Sequence, residues 1–349
     1  MKKFSLLLSA FCFLLSACVS QTTPASPQTL TIMTHDSFSV SEDVVKAFEE
    51  ANNAKVTFLQ SGDAGAMINK AILTKDAPLA DVLFGVDNTF LSRALQAEIF
   101  EPYASPELAN IPAAFQLDPS NRALPVDYGD VCINYDKAYF AENALAVPQS
   151  LEDLTKPEYA SLLVVENPAT SSTGLAFLMT TVAHFGEDGY LDYWRALKAN
   201  GVVVVDGWET AYYTNFSASS GRGPQPMVVS YGTSPAAEVI YADPPVDDAP
   251  TASILGPDTC FRQIEFVGIL KGTQNRPLAE KFVDFMLGKQ FQEDVPLQMF
   301  VYPVNPSAAL PEAFVKYAQA PAQTASLPPD LIASNRDRWI QEWTDVVMK

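Results

Sequence analysis

Several motifs that mark common classes of enzyme and metalloprotein are missing from this chain. Its 349 residues contain no HExxH, CxxC, GxSxG, GxGxxG or GxxxxGKS/T pattern. Only two histidines occur, His35 and His184. These absences argue against zincins, zinc ribbons, the common serine hydrolases and nucleotide-binding loops. The sequence therefore predicts no catalytic residue, no metal site and no cofactor.

Positive charge is also scarce. The chain has 22 Lys and Arg residues against 41 Asp and Glu residues, which gives a formal net charge of −19. Because contacts to phosphates need clustered Lys and Arg, this balance argues against nucleic acid as a partner. It favours instead the approach of a cationic ligand. With 48% hydrophobic residues, the chain can bury one large core or two ordinary ones.

The N-terminus has the pattern of an export signal. Lys2 and Lys3 precede an apolar run at 4–15, which is too short to span a bilayer comfortably. The run ends in LSAC at 15–18, which resembles the bacterial lipobox; an ordinary signal peptide is the alternative. We therefore expect a lipoprotein signal peptide at 1–17, lipidation of Cys18 and a flexible tether at 18–29. The expected location is the periplasm or the cell surface, with the lipid as membrane anchor.

Two of the four cysteines, Cys12 and Cys18, lie in this N-terminal segment. The others, Cys132 and Cys260, form an even pair in an oxidising compartment. A disulfide between them is expected, and two buried thiols are the alternative.

Strand-like and helix-like segments alternate along the rest of the chain. Strands are predicted at 30–34, 56–59, 81–86, 162–165, 202–205, 227–230 and 263–270. Helices are predicted at 66–73, 90–95, 174–185, 191–198, 208–216, 235–241, 277–287, 290–295 and 339–347. Ser39 and Glu42 fit a capping box before the first helix, and two short strands are expected on either side of 128–130. This order predicts an α/β fold with helices on both faces of parallel sheets.

The length favours two α/β lobes around a ligand cleft. Open α/β sheets bind ligands at the carboxyl ends of their strands, and pockets are common between domains. The residues at strand ends are therefore candidate contacts. They are His35, Asp36, Ser61, Asp63, Ser171, Ser172, Gly207, Trp208, Tyr231, Thr233 and Ser234.

Seven short segments, taken in order, resemble the thiamine-binding subunit of bacterial thiamine ABC importers. They are THDSF at 34–38, ADVLFGVDN at 80–88, VDYG at 126–129, NPATSSTG at 167–174, GWETAY at 207–212, SYGTSP at 230–235 and YPV at 302–304. The resemblance runs from about residue 30 to the C-terminus. It implies a type II periplasmic-binding fold and a solute-binding role without enzymatic activity. The implied ligand is thiamine or its phosphates, and the implied partner is the transmembrane subunit of an ABC permease.

The resemblance also implies an organisation of the chain. Lobe 1 would comprise 30–125 and, together with the C-terminal helices, 256–349. Lobe 2 would comprise 126–255.

Carried over residue by residue, the resemblance implies a set of ligand contacts. They are Asp63, Ala64, Ser171, Ser172, Trp208, Tyr231, Gly232, Thr233, Ser234 and Pro235, to which we add Asp36 and Phe300. The chain departs from the family at four positions, where Ala64 replaces Gly, His35 replaces Tyr, Phe300 replaces Trp and Gly232 replaces Thr.

The chemistry of these residues suits a flat cation. Trp208 and Tyr231 can stack on the rings of thiamine, and Asp63 can neutralise its thiazolium. Serine and threonine hydroxyls can satisfy the pyrimidine nitrogens.

Two other functions remain open. Tyr212 and Tyr213 resemble the adjacent tyrosines of ferric-iron binding proteins with this fold, and His35 could complete such a site. Thiamine-degrading enzymes of the same fold class use a cysteine nucleophile with an acidic base, for which Cys132 and Glu265 are the candidates.

Overall fold

The structure is a computed structural model that describes residues 26–218 and 222–349. The predicted signal peptide, the lipidation site at Cys18 and most of the predicted tether lie outside the described residues. None of the helices in the two described ranges combines the length and the apolarity that a membrane crossing requires.

Eleven strands in the described ranges form one strongly mixed sheet. They are β1 (Gln28–Thr34), β2 (Ala54–Gln60), β3 (Val82–Asp87), β4 (Phe100–Glu101), β5 (Leu124–Asp136), β6 (Leu163–Glu166), β7 (Val203–Val205), β8 (Met227–Tyr231), β9 (Thr251–Ile254), β10 (Phe261–Leu270) and β11 (Tyr302–Pro303). The strand order is β2-β1-β3-β10-β5-β8-β6-β7, with β4 paired to β10 and with β9 and β11 paired to β5.

This order divides the sheet into two similar halves. We call lobe 1 the half built on β2, β1, β3, β4, β10 and the first part of β5. Lobe 2 is built on the second part of β5 with β9, β8, β6 and β7. In each lobe three parallel strands are followed by an antiparallel one, which is β10 in lobe 1 and β5 in lobe 2. The residue boundaries given above for the lobes remain a prediction.

Helices cover both faces of the sheet. They are α1 (Glu42–Asn52), α2 (Ala64–Leu73), α3 (Leu91–Gln96), α4 (Lys137–Glu142), α5 (Ser172–Ala199), α6 (Trp208–Thr210), α7 (Ser234–Ile240), α8 (Arg276–Leu287), α9 (Lys289–Gln298), α10 (Glu312–Tyr317) and α11 (Pro329–Val347). Asp63 caps α2 by accepting from the Ala64 N–H, and Ser171 caps α5. The amphipathic α11 buries Trp339 and Trp343.

A disulfide joins two segments in which the chain passes from one lobe to the other. Cys132 lies on β5, and Cys260 directly precedes β10. The two residues are 128 positions apart in sequence, and both are buried. The bond therefore ties together the strands that run between the lobes.

The C-terminal helix α11 packs against elements of both halves of the sheet. Trp343 of α11 meets Trp194 of α5 with ring centroids 5.5 Å apart. Arg336 of α11 donates to the Thr89 carbonyl, just beyond β3. This helix therefore contacts both lobes.

Four local predictions were wrong or incomplete. Residues 124–135 form one strand rather than two, because Gly129 is extended and does not form a turn. The missing side chain leaves room for a ring, since a Cβ on Gly129 would lie 2.7 Å from Tyr231 Cδ1. The helices predicted at 174–185 and 191–198 belong to α5, which is interrupted at Gly186 (φ 71°, ψ 171°). Ser39 does not cap α1 but donates to Gln298.

The fourth concerns the segment predicted as a helix at 208–216. It forms the single turn α6 followed by a π-helical turn at Ala211–Asn215. Such turns are frequent at functional sites.

Candidate functional site

A cavity of about 340 Å³ lies between the two lobes, and we call it the interlobe cavity. Its volume falls within the range of about 300–1,000 Å³ that is usual for small-molecule sites. Lobe 1 lines it with His35, Asp36, Ser37, Phe38, Ser39, Asp63, Glu265, Gln298, Met299, Phe300 and Val301. Lobe 2 lines it with Ser172, Thr173, Trp208, Glu209, Tyr213, Tyr231, Ser234 and Tyr241.

Trp208 is the best-supported ring of the lobe 2 wall. Its indole N–H donates to Ser230 Oγ at 2.9 Å, and its ring stacks on Tyr212 with centroids 4.9 Å apart and planes at 18°. Tyr213 stands edge-on to the same ring at 5.4 Å. Because these contacts fix the indole without any ligand, Trp208 offers a preorganised flat surface to the cavity.

Two further rings come from the carboxyl side of β8. Tyr231 ends β8 and packs closely over Gly129 of β5. Tyr241 follows α7 and meets Phe300 of lobe 1 edge-on at 5.4 Å. Phe300 adopts a positive φ of 58°, which is uncommon for a residue other than glycine.

Three carboxyl groups lie side by side on adjacent strands at the lobe 1 side. The sheet pairs Glu265 of β10 with Asp87 of β3 on one flank and with Asp127 of β5 on the other. Residues paired in this way share one face of the sheet, so like charges are brought together at a cost in stability. We call Asp87, Glu265 and Asp127 the carboxylate row. All three are at least 95% buried, and Glu265 lines the interlobe cavity.

Burial and mutual repulsion strongly raise the pKa values of the carboxyl groups in the carboxylate row. Burial raises the pKa of Asp87 to about 6 and that of Asp127 to about 7. Burial, followed by the charge of Asp127, raises the pKa of Glu265 well above its usual value. The row is therefore poised to gain from a positive charge placed beside it.

The described lining of the cavity contains no Lys or Arg to neutralise this row. His35 Nε2 lies 3.5 Å from Glu265 Oε1, but burial lowers the pKa of His35 to about 4, so the ring is neutral at physiological pH. Burial also raises the pKa of Asp36 and of Glu209, and the charge of Asp36 raises that of Glu209 further. The described lining thus carries four carboxyl groups, from Asp36, Asp63, Glu209 and Glu265, and no Lys or Arg to balance them.

The carboxylate of Asp63 is already bonded to both lobes. Its Oδ1 accepts from the backbone N–H of Ala64 at 2.6 Å and of Ser172 at 3.2 Å, and its Oδ2 accepts from that of Trp208 at 3.1 Å. Burial raises the pKa of Asp63, while the hydrogen bonds from Trp208, Ser171, Ser172 and Ala64 lower it.

The structure brings seven of the predicted contacts to the cavity. They are Asp36, Asp63, Ser172, Trp208, Tyr231, Ser234 and Phe300. Five others are buried and do not line it: Ala64, Ser171, Gly232, Thr233 and Pro235. Gly232, for example, exchanges backbone hydrogen bonds with Asp130 and Gln319. A ligand role for these twelve residues remains a prediction.

Sequence reasoning missed much of the lining. Glu209 directly follows Trp208 in the chain, so a wider window around that residue would have included it, and the sequence suggested Tyr213 only as an iron ligand. Tyr241 and Met299 approach only through tertiary structure. The sequence suggested Glu265 only as the base of an enzyme, although a lone acid in an apolar strand is a signal in itself.

The two alternative sites fare differently. Cys132 is buried and disulfide-bonded, so it cannot act as the nucleophile of a thiamine-degrading enzyme. Tyr212 donates to Glu238 at 2.6 Å and its ring lies perpendicular to that of Tyr213. Within residues 26–218 and 222–349, no group of three or more His, Cys, Asp or Glu side chains is arranged to hold a metal ion.

Two α/β lobes joined by crossing strands, with a lined cavity between them, define a two-lobed solute-binding protein. The profile of the family described as bacterial extracellular solute-binding protein matches residues 77–330. The chain belongs to this family. Its members bind and transport solutes rather than catalyse reactions, and they act outside the cytoplasm.

Individual relatives agree with this assignment. A thiamine-binding periplasmic protein of Brucella suis biovar 1 is 31% identical over 97% of this chain and 98% of its own length. A solved periplasmic thiamin binding protein superposes with a TM-score of 0.80 at 26% identity, covering 93% of this chain and 97% of that one. A ferric binding protein from Campylobacter jejuni shares the fold, with a TM-score of 0.72 at 18% identity over 91% of this chain and 99% of that one. The predicted fold class and family resemblance are confirmed.

Proposed function

We propose that this protein captures thiamine in the interlobe cavity and delivers it to the transmembrane subunit of an ABC importer. The observation that carries the proposal is the carboxylate row beside an aromatic wall, in a cavity whose described lining has no Lys or Arg. The relatives named as thiamine-binding proteins point to the same vitamin.

Each part of thiamine has a matching surface. The thiazolium carries a permanent positive charge, which the carboxylate row would stabilise in a setting of low dielectric constant. Both rings are flat and suit the faces of Trp208 and Tyr231, where a cation gains about 0.5–2 kcal/mol. Ser172, Thr173 and Ser234 line the cavity, and their hydroxyls can bond the pyrimidine nitrogens.

Phosphorylated thiamine is the less favoured ligand. A helix N-terminus is the usual place for a phosphate, and the long helix α5 begins at the cavity. However, the backbone N–H of Ser172 there already donates to Asp63. A phosphate would also meet Asp36 and Glu209, so we expect free thiamine to bind more tightly than its mono- or diphosphate.

Ferric iron fits the site poorly. The phenol of Tyr212 is engaged with Glu238, and burial raises the pKa of Tyr212 well above its usual value. Burial also raises the pKa of Tyr213 to about 12. Ferric sites need phenolates, so both shifts oppose metal binding.

Membrane attachment is part of the same proposal. LSAC at 15–18, followed by a polar stretch, supports a diacylglyceryl anchor on Cys18. Mass spectrometry of protein extracted from membranes should find the lipid on Cys18 as the first residue. An unmodified protein that begins at a later residue would refute the anchor.

Calorimetric titration of one purified sample with thiamine, its monophosphate, its diphosphate and ferric citrate tests the ligand. We expect one site per chain and the tightest binding for thiamine. Iron binding with a visible charge-transfer band, and no heat from thiamine, would replace this function by iron capture.

A further inference from the structure

Hydrogen bonds between lining residues of the interlobe cavity hold the two lobes together. Asp63 stands at the start of α2 in lobe 1, yet it accepts from the Ser172 N–H at 3.2 Å and from the Trp208 N–H at 3.1 Å, both in lobe 2. With the bond from Ala64, three backbone donors surround one carboxylate. Bonds to a charged acceptor are stronger than bonds between neutral groups.

The first turn of α2 also donates in the opposite direction. The N–H groups of Gly65 and Ala66 bond to the Thr170 carbonyl of lobe 2 at 3.0 and 3.3 Å. A Cβ on Gly65 would lie 2.8 Å from Thr170 O and 2.9 Å from Ala169 O. Backbone atoms cannot move aside as a flexible side chain can, so this approach of the lobes requires glycine at 65.

We propose that Asp63 and Gly65 form a latch that sets how far the lobes close, and that Asp63 acts through the Ser172 and Trp208 amides rather than as the counter-ion of the ligand. Asp63 is therefore a positioning residue. Because Asp63 accepts from the Trp208 N–H, closure of the lobes also fixes the position of Trp208 relative to lobe 1. The latch requires a cleft that closes on a solute, and it does not depend on thiamine being that solute.

The latch changes affinity through the closed population. A ligand that needs the closed state binds more weakly when that state is less populated, whatever the charge of the ligand. A counter-ion would behave differently, since its loss would weaken a cation and spare a neutral analogue. The two roles can therefore be separated with a pair of ligands.

Asp63→Asn is the direct variant. Asparagine keeps the shape, but its amide nitrogen cannot accept an N–H, so at least one bond across the cleft is lost. We expect about tenfold weaker binding of thiamine and of its neutral thiophene analogue alike, mainly through faster dissociation. A loss confined to thiamine would overturn the latch role and restore the counter-ion role.

Gly65→Ala tests the same contact without touching charge. Alanine is preferred to glycine inside a helix, so α2 itself should not be weakened. The matched control is Gly189→Ala in α5, beyond the break at Gly186, where the nearest atom to an added Cβ is Phe185 Cβ, also of lobe 2, at 3.3 Å. The variant Gly65→Ala should keep the lobes apart, and Gly189→Ala should not.

Small-angle X-ray scattering of the ligand-free proteins decides the question without any ligand. We expect a larger radius of gyration for Asp63→Asn and Gly65→Ala than for the wild type, and no change for Gly189→Ala. Equal radii in all four proteins would overturn the proposal. If Asp63→Asn fails to fold by circular dichroism, the radius of Gly65→Ala alone supports or overturns the latch. If the wild type does not bind thiamine, the proposed ligand fails but the scattering comparison still stands.

Discussion

The two walls of the interlobe cavity differ in what they present to a ligand. Lobe 1 presents charge, since Glu265 lines the cavity between Asp87 and Asp127, with Asp36 nearby. Lobe 2 presents rings and hydroxyls, above all Trp208 with the stacked Tyr212 behind it. This difference indicates that lobe 1 selects ligands with a positive charge and lobe 2 selects ligands with flat rings. Closure would combine the two selections.

Removal of the disulfide should have the largest effect, on the free energy of unfolding, and should leave both cavity walls intact. Replacing Cys132 and Cys260 together by Ala removes a link across 128 positions, which the loop-entropy model values at about 3–5 kcal/mol. We expect a large loss in the free energy of unfolding by urea titration and unchanged thiamine affinity in the folded protein. A large loss of affinity would show that the bond shapes the walls as well.

Trp208→Ala weakens the lobe 2 wall. It removes stacking area and cation–π attraction together, so thiamine affinity should fall by at least about 2 kcal/mol, or more than about tenfold. The neutral thiophene analogue should lose affinity too, because shape is affected. Trp208→Phe keeps an aromatic face and should lose less. Equilibrium titration measures all three proteins, and unchanged affinity in Trp208→Ala would refute the assigned wall.

Glu265→Gln weakens the lobe 1 wall, and unlike Trp208→Ala it should affect only the charged ligand. Thiamine should bind about tenfold more weakly, roughly 1.4 kcal/mol, while the neutral analogue should bind as before. At a pH where the row is ionised, loss of this buried charge should also increase the free energy of unfolding by up to about 1 kcal/mol. The control is Asp118→Asn, since Asp118 is a buried acid outside the described lining and no carboxyl of the cavity acts on it. Equal losses for both ligands would contradict the charge selection by lobe 1.

The pH dependence follows from the carboxylate row. The pKa values of about 6 for Asp87 and about 7 for Asp127 lie above the usual value of 3.8. The folded apo protein therefore holds these protons more tightly than the unfolded chain does. Their stabilising effect is complete below the unfolded pKa and is lost as pH rises through about 6 to 7.

A bound cation favours the ionised row, so thiamine affinity should rise over the same interval of pH. Differential scanning calorimetry with and without saturating thiamine should give a larger thermal shift at pH 8 than at pH 5. A larger shift at pH 5 would be incompatible with a cation beside this row.

The lobe 2 wall was largely predictable from the sequence, and the lobe 1 wall was not. Trp208 lies three residues beyond the end of β7 and Ser172 lies six beyond the end of β6, so strand-end reasoning and the family resemblance both pointed to residues that line the cavity. The carboxylate row depends instead on how β3, β10 and β5 align. Local patterns carry no information on that register, since Asp87 and Glu265 are distant in sequence.

Asp63 shows a second limit of sequence reasoning. Its place at the cavity was predicted, but its bonds to Ser172 and Trp208 arise only when two separately folded turns meet. Gly129 shows a third. In a polar context it suggested a turn, whereas the structure uses it inside a strand to admit the ring of Tyr231.

The most direct test of the central claim compares thiamine with its neutral thiophene analogue on the wild-type protein by isothermal titration calorimetry. The two ligands share shape and pyrimidine and differ in the charge of one ring. We predict one thiamine bound per chain, and an affinity for the analogue that is at least about tenfold lower. Equal affinities, or no binding of thiamine, would contradict a cavity built to select a flat organic cation.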